Sequence, residues 1–349
     1  MKKMYKINSL FFLLAMMLFS LQASAEEHKK TFSESYQVNA GAEVIISNEY
    51  GNVNVSTWAE NKVTVDITVT IKAKSQEKAE KAMEKVDVSI SGNASLVKAI
   101  TTVKDGLNCK NCEFQINCDV KMPASNQLEL KNSFGNTRVG DLSGSADLTV
   151  RYGNLNLGKL ENKENKIDIK FGDAEIAYLK AAELKMAYGA LEIGKAEYLD
   201  LYARFTSFEV GEVSELLIDA EYESSEIGSV DVIRGKTNFH GFEIDELFDK
   251  MDLISTYGEI SVKRVSGGFS LIDISNQFGE IELGISSSAS YSLVAESSFG
   301  DIDFPESRAE VMHFKEEHFK SSVEAFIGND KSGKARVIIK SKNGNIDIR

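Results

Sequence analysis

Phe134-Gly135-Asn136-Thr137-Arg138-Val139, Tyr152-Gly153-Asn154-Leu155-Asn156-Leu157 and Phe171-Gly172-Asp173-Ala174-Glu175-Ile176 are one short unit written three times. The aromatic returns at Tyr188, Phe205, Tyr222, Phe239, Tyr257, Phe278 and Phe299. From Phe134 onward the steps are 18, 19, 17, 17, 17, 17, 18, 21 and 21 residues. Gly follows most of these aromatics but not Phe205, Tyr222 or Phe239. A last copy, Asn343-Gly344-Asn345-Ile346-Asp347-Ile348, has Asn in place of the ring. Self-similarity at this period marks an array whose units stack on one another.

Inside each unit the apolar period is two. Leu148/Val150, Ile167/Ile169, Leu184/Met186 and Leu201/Ala203 precede the aromatic, and Leu191/Ile193, Phe208/Val210 and Ile281/Leu283 follow it. Such alternation makes a strand with one buried face. The Gly after the aromatic is expected to supply the φ > 0 of a sharp corner. Short strands joined by corners cannot bury their apolar faces alone, but stacked coils enclose a thin continuous core with a Phe/Tyr ladder at one corner. The pattern predicts an all-β, single-stranded parallel β-helix, a β-solenoid coiled right-handed by strand twist. Hairpin signals, which a sandwich would need, are absent from the repeat region. A dozen coils would make a rod about 55 to 60 Å long.

Outside the repeats, residues 1–25 read as a secretory signal peptide. Lys2, Lys3 and Lys6 form the basic segment, Leu10 to Phe19 the apolar one, and Ala23-Ser24-Ala25 the cleavage site. The apolar run is too short for a comfortable membrane span, and no second one follows, so the mature chain is expected to lack an integral span. Export to the periplasm or cell surface is the expected localisation. Removing the three lysines takes the net charge from −13 to −16, which argues against nucleic acid as a partner. Residues 26–125 are expected to form a β-rich N-terminal cap with a short helix near 75–86, begun by Ser75 as N-cap. Residues 126–349 are expected to form the solenoid, with an insertion near 305–335 holding Pro305 and read as a loop or half-formed coil. The chain ends on a strand at Arg349. That edge should be shielded by the insertion or left open for edge-to-edge self-association through the C-terminal coil.

Three stretches carry a resemblance. Asn48-Glu49-Tyr50-Gly51-Asn52-Val53-Asn54-Val55-Ser56-Thr57-Trp58 resembles the opening motif of the bacterial adhesin-labelled, or toastrack-like, family. Val120-Lys121-Met122-Pro123 through Leu128 to Asn136 is similar to its entry into the coils. Gly333 to Ile339 with Asn343-Gly344-Asn345-Ile346 resembles its last turn. The resemblance implies an exported β-solenoid associated with the cell envelope, without an established activity. For some members it implies a role in envelope-stress signalling.

Few residues are left over once the coils are accounted for. Four positions after successive aromatics stand Glu175, Glu192, Glu209, Glu226 and Glu243, resumed at Glu282, Asp303 and Asp347. Stacked, these acids would form a column of like charges, calling for counter-ions or raised pKa values. The bland reading is a solvated face, with Arg151, Lys170, Lys185 and Arg204 across the corner neutralising it. The functional reading is a weak Ca²⁺ site or a docking strip for a cationic partner, although no Ca²⁺-loop motif is present. Cys109, Cys112 and Cys118 are the disulfide candidates. One bridge and one leftover thiol are expected, in preference to a redox or zinc site. His28, His240, His313 and His318 are scattered, and His313 and His318 lack zinc-motif spacing. No cofactor is implied. A polysaccharide-active enzyme would need acids opposed across a walled groove, whereas this column is side by side. The reading is a non-catalytic envelope or surface interaction protein with an envelope protein or glycan as partner. The alternatives are a periplasmic module of an envelope-stress system and, last, a β-helix polysaccharide enzyme.

Overall fold

Alternating aliphatics stack into columns. In the computed structural model, which describes residues 26–104, 112–330 and 334–349, Leu130, Leu148, Ile167 and Leu184 lie opposite one another on successive parallel strands. On the other side of the corner Val55, Val139, Leu157 and Ile176 do the same. All eight are buried, and each such side chain taken fully out of water contributes about 1.5–3 kcal/mol. The chain is a β-solenoid. The segment expected as the signal peptide, residues 1–25, lies outside the described residues.

The corner has a different chemistry from the one expected. At all but one of the aromatics from Tyr50 to Phe299 the aromatic itself takes the left-handed conformation, with φ between 49 and 62°, while Gly51, Gly135, Gly153 and Gly172 do not; at Phe278 the positive φ falls on Gly279 instead, at 132°. The glycines serve close approach instead. A Cβ on Gly135, Gly153, Gly172 or Gly189 would sit on the carbonyl oxygen of the glycine one coil before, well inside van der Waals contact. Ala174–Thr256 runs as one continuous strand through four corners, at Tyr188, Phe205, Tyr222 and Phe239, the last three with Thr206, Glu223 and His240 in place of this glycine. A second glycine column, Gly194, Gly211 and Gly228, stacks there six residues after the aromatic.

The rings themselves form the ladder. Tyr50, Phe134, Tyr152, Phe171, Tyr188, Phe205, Tyr222, Phe239, Tyr257 and Phe278 stack in that order, with centroids 4.5–5.5 Å apart and planes within 7°. They lie outside the core and remain about half exposed, Phe134 at 49 % and Tyr152 at 52 %. Tyr and Phe alternate strictly, which keeps neighbouring hydroxyls about 10 Å apart, two strand spacings.

Spatial order departs from chain order at both ends. The first coil, Glu43–Glu49 with Val53–Trp58, lies between Leu96–Val103 with Glu113–Pro123 on one side and Gln127–Ser133 with Thr137–Val139 on the other. Beyond it Lys62–Ala73 pairs antiparallel with both Glu113–Pro123 and Glu26–Gln37, and Val86–Gly92 pairs with Leu96–Val103. The helix, Gln76–Met83, buries Ala79 and Ala82 against this layer; Ser75 precedes it in extended conformation without a side-chain cap bond.

At the other end the expectation of an edge at Arg349 is corrected. Arg336–Lys342 and Ile346–Ile348 are inserted between Leu271–Asn276 with Ile281–Ile285 and Tyr291–Ser298 with Ile302–Asp303, and pair with both. The last coil in sequence is therefore interior, and Asn343 takes the rung between Phe278 and Phe299. Asn tolerates this conformation (φ 60°) better than most residues. The expected loop is a hairpin, Ala309–Glu317 with Lys320–Ile327, whose second strand pairs antiparallel with Tyr291–Ser298 and covers that side of the end. An edge-to-edge contact through the C-terminal coil is thus closed off by strands on both of its sides. No helix among the described residues is long and apolar enough to cross a membrane.

Candidate functional site

Two columns of polar residues leave each corner and wall a groove of about 800 Å³ along the stacking axis. The first stands two positions after the aromatic. Asn52 Oδ1 accepts from the backbone N–H of Asn136 at 3.0 Å, and Asn136 from Asn154 at 3.0 Å. Asn154 in turn accepts from Asp173 at 2.9 Å, and Asp173 from Ala190 at 2.9 Å. Each side chain bonds the next coil, so this column fastens the corner. Its signal was visible as the Gly-Asn and Gly-Asp pairs of the repeat, which sequence reasoning left without a role.

The second column stands four positions after the aromatic. Asn54, Arg138, Asn156 and Glu175 are in register, and Glu192, Glu209 and Glu226 continue along the groove. Further on, Glu243, Ser261, Glu282, Asp347 and Asp303 lie opposite one another in turn. The structure thus brings the expected acids onto one face. Towards its ends some of these acids are engaged: Asn156 donates to Glu175 at 2.7 Å, Lys263 pairs with Glu243 and with Asp245, and Arg349 pairs with Asp347. Among the described residues Glu192, Glu209 and Glu226 have no ion-pair partner within 4.0 Å.

The bases expected across the corner are engaged elsewhere. Arg151 is held by Asp168, Arg204 by Asp219 at 2.6 Å, and Lys185 by Glu183 at 2.7 Å. Each of these acids lies on a strand before an aromatic corner, on another face from the acid column. Among the described residues no three His, Cys, Asp or Glu side chains converge as a metal site.

The groove floor holds one buried titratable pair. His240 Nε2 lies 2.7 Å from Ser225 Oγ, its ring stacks at 5.5 Å on Phe208, and Phe242 meets it edge-on. Burial pushes the imidazole down to about 4, and among the described residues Nδ1 has no hydrogen-bond partner. A nucleophile–base pair is oriented by a third group at that nitrogen. Here the His stands at the position that glycine takes in most other coils. His28 lies on an N-terminal strand, while His313 and His318 are exposed in the C-terminal hairpin. Cys112 is disulfide-bonded and Cys118 is a buried free thiol pushed up to about 12 by burial, which makes it a poor nucleophile. Cys109 lies outside the described residues.

No curated protein matches the chain. Among solved structures, one described as a "putative cell adhesion protein" from Clostridium sporogenes is 11% identical, with 93% of this chain and 99% of that one covered and a TM-score of 0.20. A "putative lipid binding protein" from Parabacteroides distasonis is 12% identical over 74% of this chain and 95% of its own, at 0.34. A "putative adhesin" from Parabacteroides merdae is 13% identical over 74% and 92%, at 0.29. The family model described as Toastrack DUF4097 matches residues 37–349, and the chain belongs to that family.

Proposed function

We propose that this chain is a non-catalytic, exported protein of the cell envelope or surface, and that its groove holds an extended glycan strand. The observation that carries the reading is the groove itself. It crosses seven successive coils, from Asn54 to Glu226, as a row of amide and carboxylate groups interrupted by the one guanidinium of Arg138. Amides and carboxylates at this spacing suit a hydroxyl-rich polymer lying along the axis, because each sugar meets an acceptor about every 4.8 Å. The unpaired acids Glu192, Glu209 and Glu226 are free to accept from hydroxyls or to meet a cationic amino sugar. Side-by-side acids on one column favour binding over hydrolysis, which needs two carboxyls flanking the bond.

Calorimetric titration with purified envelope polysaccharides and peptidoglycan fragments tests the reading. Binding in the micromolar range is expected, with at least about a tenfold loss in the triple variant Glu192→Gln, Glu209→Gln, Glu226→Gln. Unchanged affinity in that variant, or turnover of any glycan, would contradict it.

A further inference from the structure

Both ends of the rod finish in antiparallel strands. At the N-terminal end the outer strands Glu26–Gln37 and Val86–Gly92 are each bonded on one side only, and the helix lies against the first of them. At the C-terminal end, the outer hairpin strand Ala309–Glu317 is bonded on one side only, to Lys320–Ile327, and no described strand takes its outer edge. Val311, Met312, Phe314 and the turn residue Phe319 are 46 to 64 % exposed there. An open edge that exposes apolar side chains can template another strand.

We infer that the occupant is a second copy of this chain, joined by antiparallel pairing of Ala309–Glu317 with itself. The sequence is complementary to its own reverse about a two-fold axis between Met312 and His313. Glu310 then faces Lys315 and Val311 faces Phe314, each pair occurring twice. Shifting the register by one residue either way sets Glu310 against Glu316 or against Phe314. The favoured register needs Val311 and Phe314 on one face, although residues three apart in a regular strand point to opposite faces. The strand breaks its alternation where this is required. A register shift between Val311 and His313 leaves Met312 extra, so that Val311 lies opposite Ala325 and Phe314 opposite Val323, both buried and hence on the inner face. In the monomer Lys315 pairs with Glu317 at 2.7 Å. Both side chains are more than half exposed, and Glu310, also exposed, has an interaction of its own in the monomer, so the dimer would exchange surface contacts on both sides of the new pair. The two acidic rods would meet end to end, with their grooves outside the contact.

Sedimentation equilibrium on the chain from Glu26 onward, at pH 7 and about 0.15 M salt, tests this over roughly 1 to 200 µM. A short edge interface predicts a dimer with micromolar dissociation. Lys315→Glu should weaken it by about tenfold or more by setting like charges opposite each other twice, and the double variant Glu310→Lys, Lys315→Glu should restore it. A monomer at every concentration overturns the proposal and leaves the edge to a different partner. A dimer indifferent to Lys315→Glu, or one that the double variant fails to restore, overturns it as well.

Discussion

At most corners a strained aromatic and an unstrained glycine divide the work; at Phe278 the positive φ passes to Gly279, and Thr206, Glu223 and His240 stand in the glycine's place at three others. A non-glycine residue at positive φ costs about 1–2 kcal/mol, and two ring neighbours at about 5 Å return a similar amount. The glycine is needed only because a neighbouring backbone passes too close for a Cβ. Gly153→Ala should therefore lower stability by about 2–4 kcal/mol in urea unfolding, whereas Gly268→Ala, whose Cβ meets nothing within 4 Å, should stay within about 0.5 kcal/mol. His240 gives the second residue-level prediction. An unfolded imidazole takes a proton near 6.5, but the buried one does so only near 4. Its contribution is therefore intact above about pH 6.5 and lost as pH falls through 4, by roughly 3 kcal/mol. The difference in urea midpoint between the wild type and His240→Gln should change across that window and be flat above it. A difference that is flat throughout would mean that the imidazole is solvated. The repeat spelled out where the corners are, but not which residue bends, because Phe-Gly and Tyr-Gly look the same whichever of the pair has the positive φ.

The strands were legible as strands because period-two alternation fixes which side chains face the core. It does not fix which strand lies next door. Val337 and Ile339 would alternate identically on an exposed edge or in the middle of a sheet, and only the tertiary pairing placed Arg336–Lys342 between two earlier coils. For the same reason the opening Tyr50 unit did not reveal that later strands, Leu96–Val103 and Glu113–Pro123, cover it. The acid column followed from spacing alone, since Glu175 to Glu243 recur every 17 residues. That its middle would remain unpaired did not follow, because Arg151, Lys185 and Arg204 turn to acids on another face. Position in the stack predicts how deletions behave. Removing residues 336–349 takes a doubly paired coil from the interior and should abolish cooperative unfolding in calorimetry. Removing the hairpin at 309–327 strips one covering layer and should lower the midpoint while leaving a cooperative transition.

As a whole the molecule is one stack clasped at both ends, because its first and last coils in sequence are each held between two others. Repeat proteins usually fray from their terminal units, which have a single neighbour. Here the outermost layers are the antiparallel strands near Glu26–Gln37 and the hairpin near Ala309–Glu317, and fraying should start there. The rod then presents a groove along its side and an open hairpin edge at its C-terminal end, and the proposals for glycan and self-association use separate surfaces. Both rest on the order in which the coils are stacked. Native-state hydrogen exchange reads that order directly. The account predicts that the amides of Arg336–Lys342 exchange as slowly as those of Leu271–Asn276 and much more slowly than those of Ala309–Glu317. Exchange of Arg336–Lys342 as fast as a frayed chain end, with Leu271–Asn276 still protected, would contradict it.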